Sequence, residues 1–159
     1  MPAPPRLEQG DAVQRGDLSD RLPPRWLFVF ENVIGAVPAD RALQWKLAMR
    51  ARQWRIAANQ YEVEPHVSKV IWDLVWRRDF RFDIVTFLGD GMAGALEKRL
   101  SRESLPFSNL WAVSEDTLAQ RLAYMPDVLY VVHGDPTRHL SYGNRGLLVT
   151  EPGALDLSG

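Results

Sequence analysis

Short apolar runs alternate with amphipathic stretches along most of this chain, and that alternation restricts the fold more than any other feature. Segments 26–31 (WLFVFE), 82–88 (FDIVTFL), 109–113 (NLWAV) and 127–132 (DVLYVV) are rich in large apolar residues with few polar interruptions, the pattern of strands covered on both faces. Residues 147–150 predict a short fifth strand, set after a turn at 143–146. Pro38 suits a first helical turn, and nothing breaks a helix from there to about Asn59. A second helix, from Glu64 to about Arg77, carries Val67, Val70, Ile71, Leu74 and Val75 on one stripe. Asp90 and Ser114 are N-cap residues for two more helices, with Met92, Ala93, Leu96 and Leu100 inward on the first and Leu118 and Leu122 on the second. The order predicts an α/β domain: a three-layer Rossmann-like fold, its mostly parallel sheet of about five strands covered by helices, with a helical insert after strand 1.

A chain of 159 residues suits one such domain. Its expected extent is 25–152, with the insert at 38–79 and a short tail at 153–159. Residues 1–24 hold five of the eleven prolines and few large apolar residues, so they read as an extended or flexible N-terminal arm that cannot build a core alone. Apolar residues make up 46% and charged residues 25%, which favours a packed core over disorder. A net charge of −1 excludes a general polyanion binder, so nucleic acid is not an expected partner. The absence of cysteine excludes disulfide scaffolds, thiolate zinc sites and cysteine nucleophiles. No apolar stretch approaches a membrane span, and the first residues lack the apolar core of a signal peptide, so a cytoplasmic protein without a membrane partner is expected.

In sheets of this kind ligands bind beyond the carboxyl ends of the strands, where the strand order reverses. The residues in question are Glu31, Asn32, Thr86, His133, Gly134 and Asp135. Their order resembles the haloacid dehalogenase-like (HAD) phosphohydrolases, in which strand 1 ends in Asp-x-Asp-Gly, strand 2 in Thr or Ser, and an acidic pair follows strand 4. The resemblance covers about residues 25–152, and the insert sits where that family places a cap. For an active member it implies catalytic roles for Glu31, Thr86 and Asp135 and a magnesium ion held by Glu31 and Asp135; for an inactive one it implies no cofactor. The reactive groups depart from the family pattern. Aligning VFENVI with the first motif sets Val29 on the nucleophile, Glu31 on the acid/base and Asn32 on the glycine, while His133 and Gly134 replace the acidic pair. Valine forms no phosphoenzyme and transfers no proton. The resemblance therefore implies a non-catalytic member, with an active magnesium-dependent phosphohydrolase or nucleotidase as the alternative. The sequence FEN at 30–32 also resembles the opening of NYN/PIN-type nucleases, with Asp83, Asp90 and Asp135 as the remaining acids.

Other constellations are weaker. His133 and His139 are six apart, which does not put both on one helical face, and His66 reads as a solvated residue at a helix start. There is no Gly-x-Ser-x-Gly elbow and no P-loop. The turn at 143–146 offers backbone N–H groups and Arg145 to an anion, so Asn32, His133 and Arg145 are the candidate binding residues.

Four of the six tryptophans fall on the insert. Trp72 and Trp76 lie four apart, opposite the apolar stripe of their helix. On the preceding helix Leu43, Leu47, Ala51 and Trp54 form one stripe and Trp45, Met49 and Ile56 another, between arginine-rich flanks. Either the two helices pack on each other or they expose a docking face with basic rims. Trp45, Trp54, Trp72 and Trp76 are thus the candidate interface residues, used with the arm for self-association or a protein partner. With sixteen Arg to three Lys, as in GC-rich genomes, the chain suits an accessory or structural component of a bacterial or phage assembly.

Overall fold

Along the central strand, side chains alternate between two cores. The structure, a computed structural model, describes residues 23–157; the expected N-terminal arm lies almost wholly outside the described residues. Strand β1 (Arg25–Val29) sends Trp26 and Phe28 to one face and Leu27 and Val29 to the other, and all four are buried. This explains why the run shows no polar alternation: both faces are covered.

The sheet has five parallel strands. In chain order they are β1, β4 (Arg81–Thr86), β5 (Asn109–Ala112), β6 (Val128–His133) and β7 (Gly146–Leu148). In space the order is β5-β4-β1-β6-β7, so the reversal falls between β1 and β6. Phe28 pairs with Ile84 on one side and Val132 on the other. The first face is covered by α1 (Ala42–Arg50), α2 (Trp54–Ala58), α3 (Pro65–Trp72) and α4 (Asp90–Arg102), around Phe28, Phe30, Ile71, Phe82 and Leu96. Helix α5 (Glu115–Arg121) and a 3-10 stretch at Pro136–Arg145 cover the other, around Leu118, Leu122 and Tyr142. The expected α/β class and five-stranded Rossmann-like sheet are present.

The long first helix is divided. After α1 the chain closes with Gln53 N–H on the Ala48 carbonyl at 2.8 Å, and Arg52 adopts a left-handed φ of 58°. That conformation disfavours a residue with a Cβ. The break ends the expected stripe of Leu43, Leu47, Ala51 and Trp54. Trp45, Ala48 and Met49 face the core, Leu43 and Leu47 stay exposed, and Trp54 turns onto α4. Helix α3 starts as its sequence dictates, with Glu64 accepting from His66 N–H and Pro65 in the first turn, and continues through Asp73–Arg77 in wider π turns. Asp90 is the first residue of α4 rather than its cap; Gly89, at φ 95°, takes that place.

Two elements lie outside the sequence expectation. Strands β2 (Gly35–Ala36) and β3 (Glu62–Val63) pair antiparallel and clamp the start of the insert to a point beyond α2. Gly35 is required there, because a Cβ would meet the Phe30 ring at 2.8 Å. His66 is half-buried rather than fully solvated: its Nε2 donates to the Leu155 carbonyl at 2.5 Å, and Arg78 reaches the Leu157 carbonyl at 2.5 Å. Residues 152–157 thereby dock on the α3 side, with Leu155 and Leu157 against the core. No helix among the described residues is long and apolar enough to cross a membrane.

Candidate functional site

Parallel strands that end together leave their following loops at one rim, and the reversal between β1 and β6 opens that rim into a cleft. There the structure has a cavity of about 170 Å³ whose walls include Val29, Glu31, Asn32, His133, Asp135 and Tyr142. A tight turn makes the β1 side: Phe30 C=O accepts from Ile34 and Gly35 N–H at 3.1 Å, and Asn32 sits at φ 65°, a conformation asparagine tolerates. Gly134 backs onto this turn; a Cβ there would lie 3.5 Å from that of Asn32.

Glu31 is held rather than free. Thr86, at the end of β4, donates its hydroxyl to Oε2, and Phe87 N–H donates to Oε1 at 3.3 Å. Leu88 N–H in turn donates to Thr86 Oγ1 at 3.3 Å. The carboxylate thus bridges the ends of β1 and β4. Burial pushes its pKa up despite these donors, with the charge of Glu115 adding to the shift. Val29, the last residue of β1, is buried among Leu27, Val85 and Leu118.

The β6 side is also internally engaged. Asp135 caps the 3-10 stretch, accepting from Thr137 N–H at 2.9 Å and Thr137 Oγ1 at 2.7 Å, and these donors lower its pKa. His133 is buried, and burial followed by the neighbouring His139 lowers its pKa. Its Nδ1 accepts from Asp135 N–H at 3.3 Å, so the neutral ring carries its proton on Nε2 and donates to His139 Nδ1 at 3.2 Å. The six-residue spacing therefore does bring the two rings together, stacked at 5.4 Å, because the chain turns back after β6 instead of running as one helix. Tyr142 crosses His133 at 4.7 Å, its hydroxyl pushed up to about 12 by burial and the Glu115 charge.

Glu31, Asn32, Thr86, His133 and Asp135 are thus gathered at one rim, as their strand-end positions imply. Arg145 is not among them. It precedes β7 at the opposite end of the sheet, where its guanidinium donates to the carbonyls of Leu122, Met125 (2.8 Å) and Val128 (3.2 Å) and closes the end of α5. Asp83, only 1% exposed, is likewise remote from Asp135: it pairs with Arg25 at 2.8 Å, beside Asp127 and Arg81 near the amino ends of the strands. Asp90 lies exposed on the first turn of α4. Sequence reasoning missed Glu115, Phe87 and Tyr142 on the cavity wall; only Glu115 carried a signal, as a first-turn acid next to a strand end.

Magnesium takes several hard oxygen ligands. Both oxygens of Glu31 and one of Asp135 accept protein donors, Glu115 faces Arg138 at 3.6 Å, and His133 and Gly134 add no carboxylate to the lining. No three of His, Asp or Glu among the described residues converge to hold a metal. This donor set does not fit the ion. The lining carries three carboxylates and no cation, the wrong sign for a phosphate ester. Compared with protein families, with curated proteins and with solved structures, the chain has no match.

The four tryptophans divide. Trp45 and Trp54 pack half-buried against the core. Trp72 and Trp76 are 43% and 64% exposed, their rings 5.7 Å apart and tilted by 34°.

Proposed function

We propose that this protein is a non-catalytic, HAD-like domain that acts as an assembly module by contact with a second copy of itself. The observation that carries the first half is the state of the strand-end groups: Val29 is buried in place of a nucleophile, and Glu31 serves as a bracket between β1 and β4. The strand order and the gathering of Thr86, Glu31 and Asp135 at one rim support the HAD-like outline.

The second half rests on the Trp72–Trp76 pair. Large aromatics left in water on a helix whose buried stripe is already complete favour a contact, since such residues gain most from desolvation. Lys69, Asp73 and Arg77 flank them with both signs, which suits a two-fold contact in which each patch meets its own image. A net charge of −1 offers little repulsion between copies.

The competing reading, a magnesium-dependent phosphohydrolase, takes the raised pKa of Glu31 as that of a general acid. A panel of phosphate esters with Mg²⁺ tests the two. The assembly reading expects no turnover above buffer; hydrolysis that disappears in Glu31→Gln refutes it.

A further inference from the structure

Helix α4 holds a glycine that its own backbone and packing do not explain. Gly94 lies in the helix interior with no φ in the left-handed region, and a Cβ built on it would meet nothing within 4 Å. Glycine at such a position costs about 1 kcal/mol relative to alanine. What it leaves is open space. Gly94 forms part of the floor of a cavity of about 330 Å³ between α2 and α4, which shares no lining residue with the strand-end cavity, with Trp54, Arg55, Asn59, Lys98 and Arg102 around it. Its other glycine, Gly91, has a different reason: a Cβ there would strike the Trp54 indole at 2.4 Å, so the ring lies directly on the α4 backbone and is fixed as a wall.

Arg55, Lys98 and Arg102 have no ion-pair or hydrogen-bond partner among the described residues, and no carboxylate lines the cavity. The neighbouring Arg99 differs, being bound to the Ala58 and Tyr61 carbonyls and to Glu103. Three cations without a partner among the described residues match a dianion better than a single carboxylate. An indole wall with an asparagine beside it suits a flat ring with polar edges. The volume lies near the lower end of small-ligand pockets.

We infer that this cleft binds a small organic phosphate carrying a planar ring, the chemical class of a nucleoside monophosphate. The ring lies along Trp54 and the phosphate among Arg55, Lys98 and Arg102. This site is independent of the assembly face and of the strand-end cavity.

Calorimetric titration with adenosine 5′-monophosphate tests it, with adenosine and inorganic phosphate titrated separately. The full chain should bind the nucleotide at least about tenfold more tightly than either part. Affinity should fall by about tenfold or more in Gly94→Phe, which fills the cleft, and in the double variant Lys98→Glu, Arg102→Glu, whose positions are exposed. It should be unchanged in Trp72→Ala with Trp76→Ala, which separates this site from the assembly face. No binding by the wild-type chain, binding untouched by both cleft variants, or equal affinity for bare phosphate would overturn the inference. So would much tighter, strongly salt-dependent binding of a 5′-phosphorylated single-stranded oligonucleotide, which would point to nucleic acid instead.

Discussion

Asp83 and Glu31 are both acids close to β1, yet their surroundings give them opposite energetic roles. Asp83 is buried and ion-paired with Arg25, whose guanidinium also meets Asp127. Replacing it by asparagine leaves a partly buried cation short of its partner, and Asp83→Asn should cost about 2 kcal/mol in urea unfolding. Asp127 adds a pH dependence. Although burial acts to raise its pKa, the charges and hydrogen bonds of Arg25 and Arg81 outweigh that and hold it below the usual carboxylate value. Its contribution is therefore fully present above the unfolded-state carboxylate pKa and is lost as pH falls through the lower folded value. Unfolding curves taken at neutral and acid pH should show a steeper acid loss for the wild type than for Asp127→Asn; parallel losses would contradict this ion cluster. Glu31, with a raised pKa, runs the other way, so Glu31→Gln should leave neutral-pH stability little changed or slightly improved. The strand-end position of Glu31 was legible in the sequence, because a polar residue stands where an apolar run stops. Its engagement was not, since Thr86 lies 55 residues away and only the parallel pairing of β1 with β4 brings the two together.

Helices and strands differ in how much of themselves the sequence displays. Strands buried on both faces announce themselves by unbroken apolar runs, and the central three appear within a residue or two of the expected bounds. Helix α3 is equally plain, its stripe meeting the core at Val67, Ile71 and Leu74. The division between α1 and α2 is hidden because arginine at position 52 carries no sign of a left-handed turn, and that turn decides which way Trp54 points. Arg52→Gly should therefore stabilise the fold, by about 1 kcal/mol, where glycine in a helix interior would do the reverse. The two glycines of α4 provide a sharper contrast. Gly94→Ala should raise the melting temperature, since its Cβ enters open space and helix propensity improves. Gly91→Ala should lower it by displacing the Trp54 indole. Equal effects at the two positions would mean that Trp54 does not lie on the α4 backbone.

At the scale of the whole molecule the sheet order places one cavity at the β1–β6 reversal, and the two layers of helices leave the α3 face of the insert uncovered at Trp72 and Trp76. The alternation of strands and helices predicted the layers. It did not predict the β2–β3 clamp or the docking of residues 152–157, because pairs of two residues and isolated carbonyl contacts leave no periodic trace. Nor does periodicity distinguish a second apolar face that packs internally from one left in water; Trp45 and Trp72 look alike in sequence and end in different surroundings. Under the proposed function the exposed pair joins two copies while the strand ends stay inert. The mass of the native particle tests this most directly, measured by light scattering on the wild type and on Trp72→Ala with Trp76→Ala. A particle at least twice the 18.1 kDa chain, reduced to 18.1 kDa in the double variant with its circular dichroism unchanged, is the predicted result. A wild-type chain that remains at 18.1 kDa at every concentration, or a double variant that assembles as the wild type does, would contradict it.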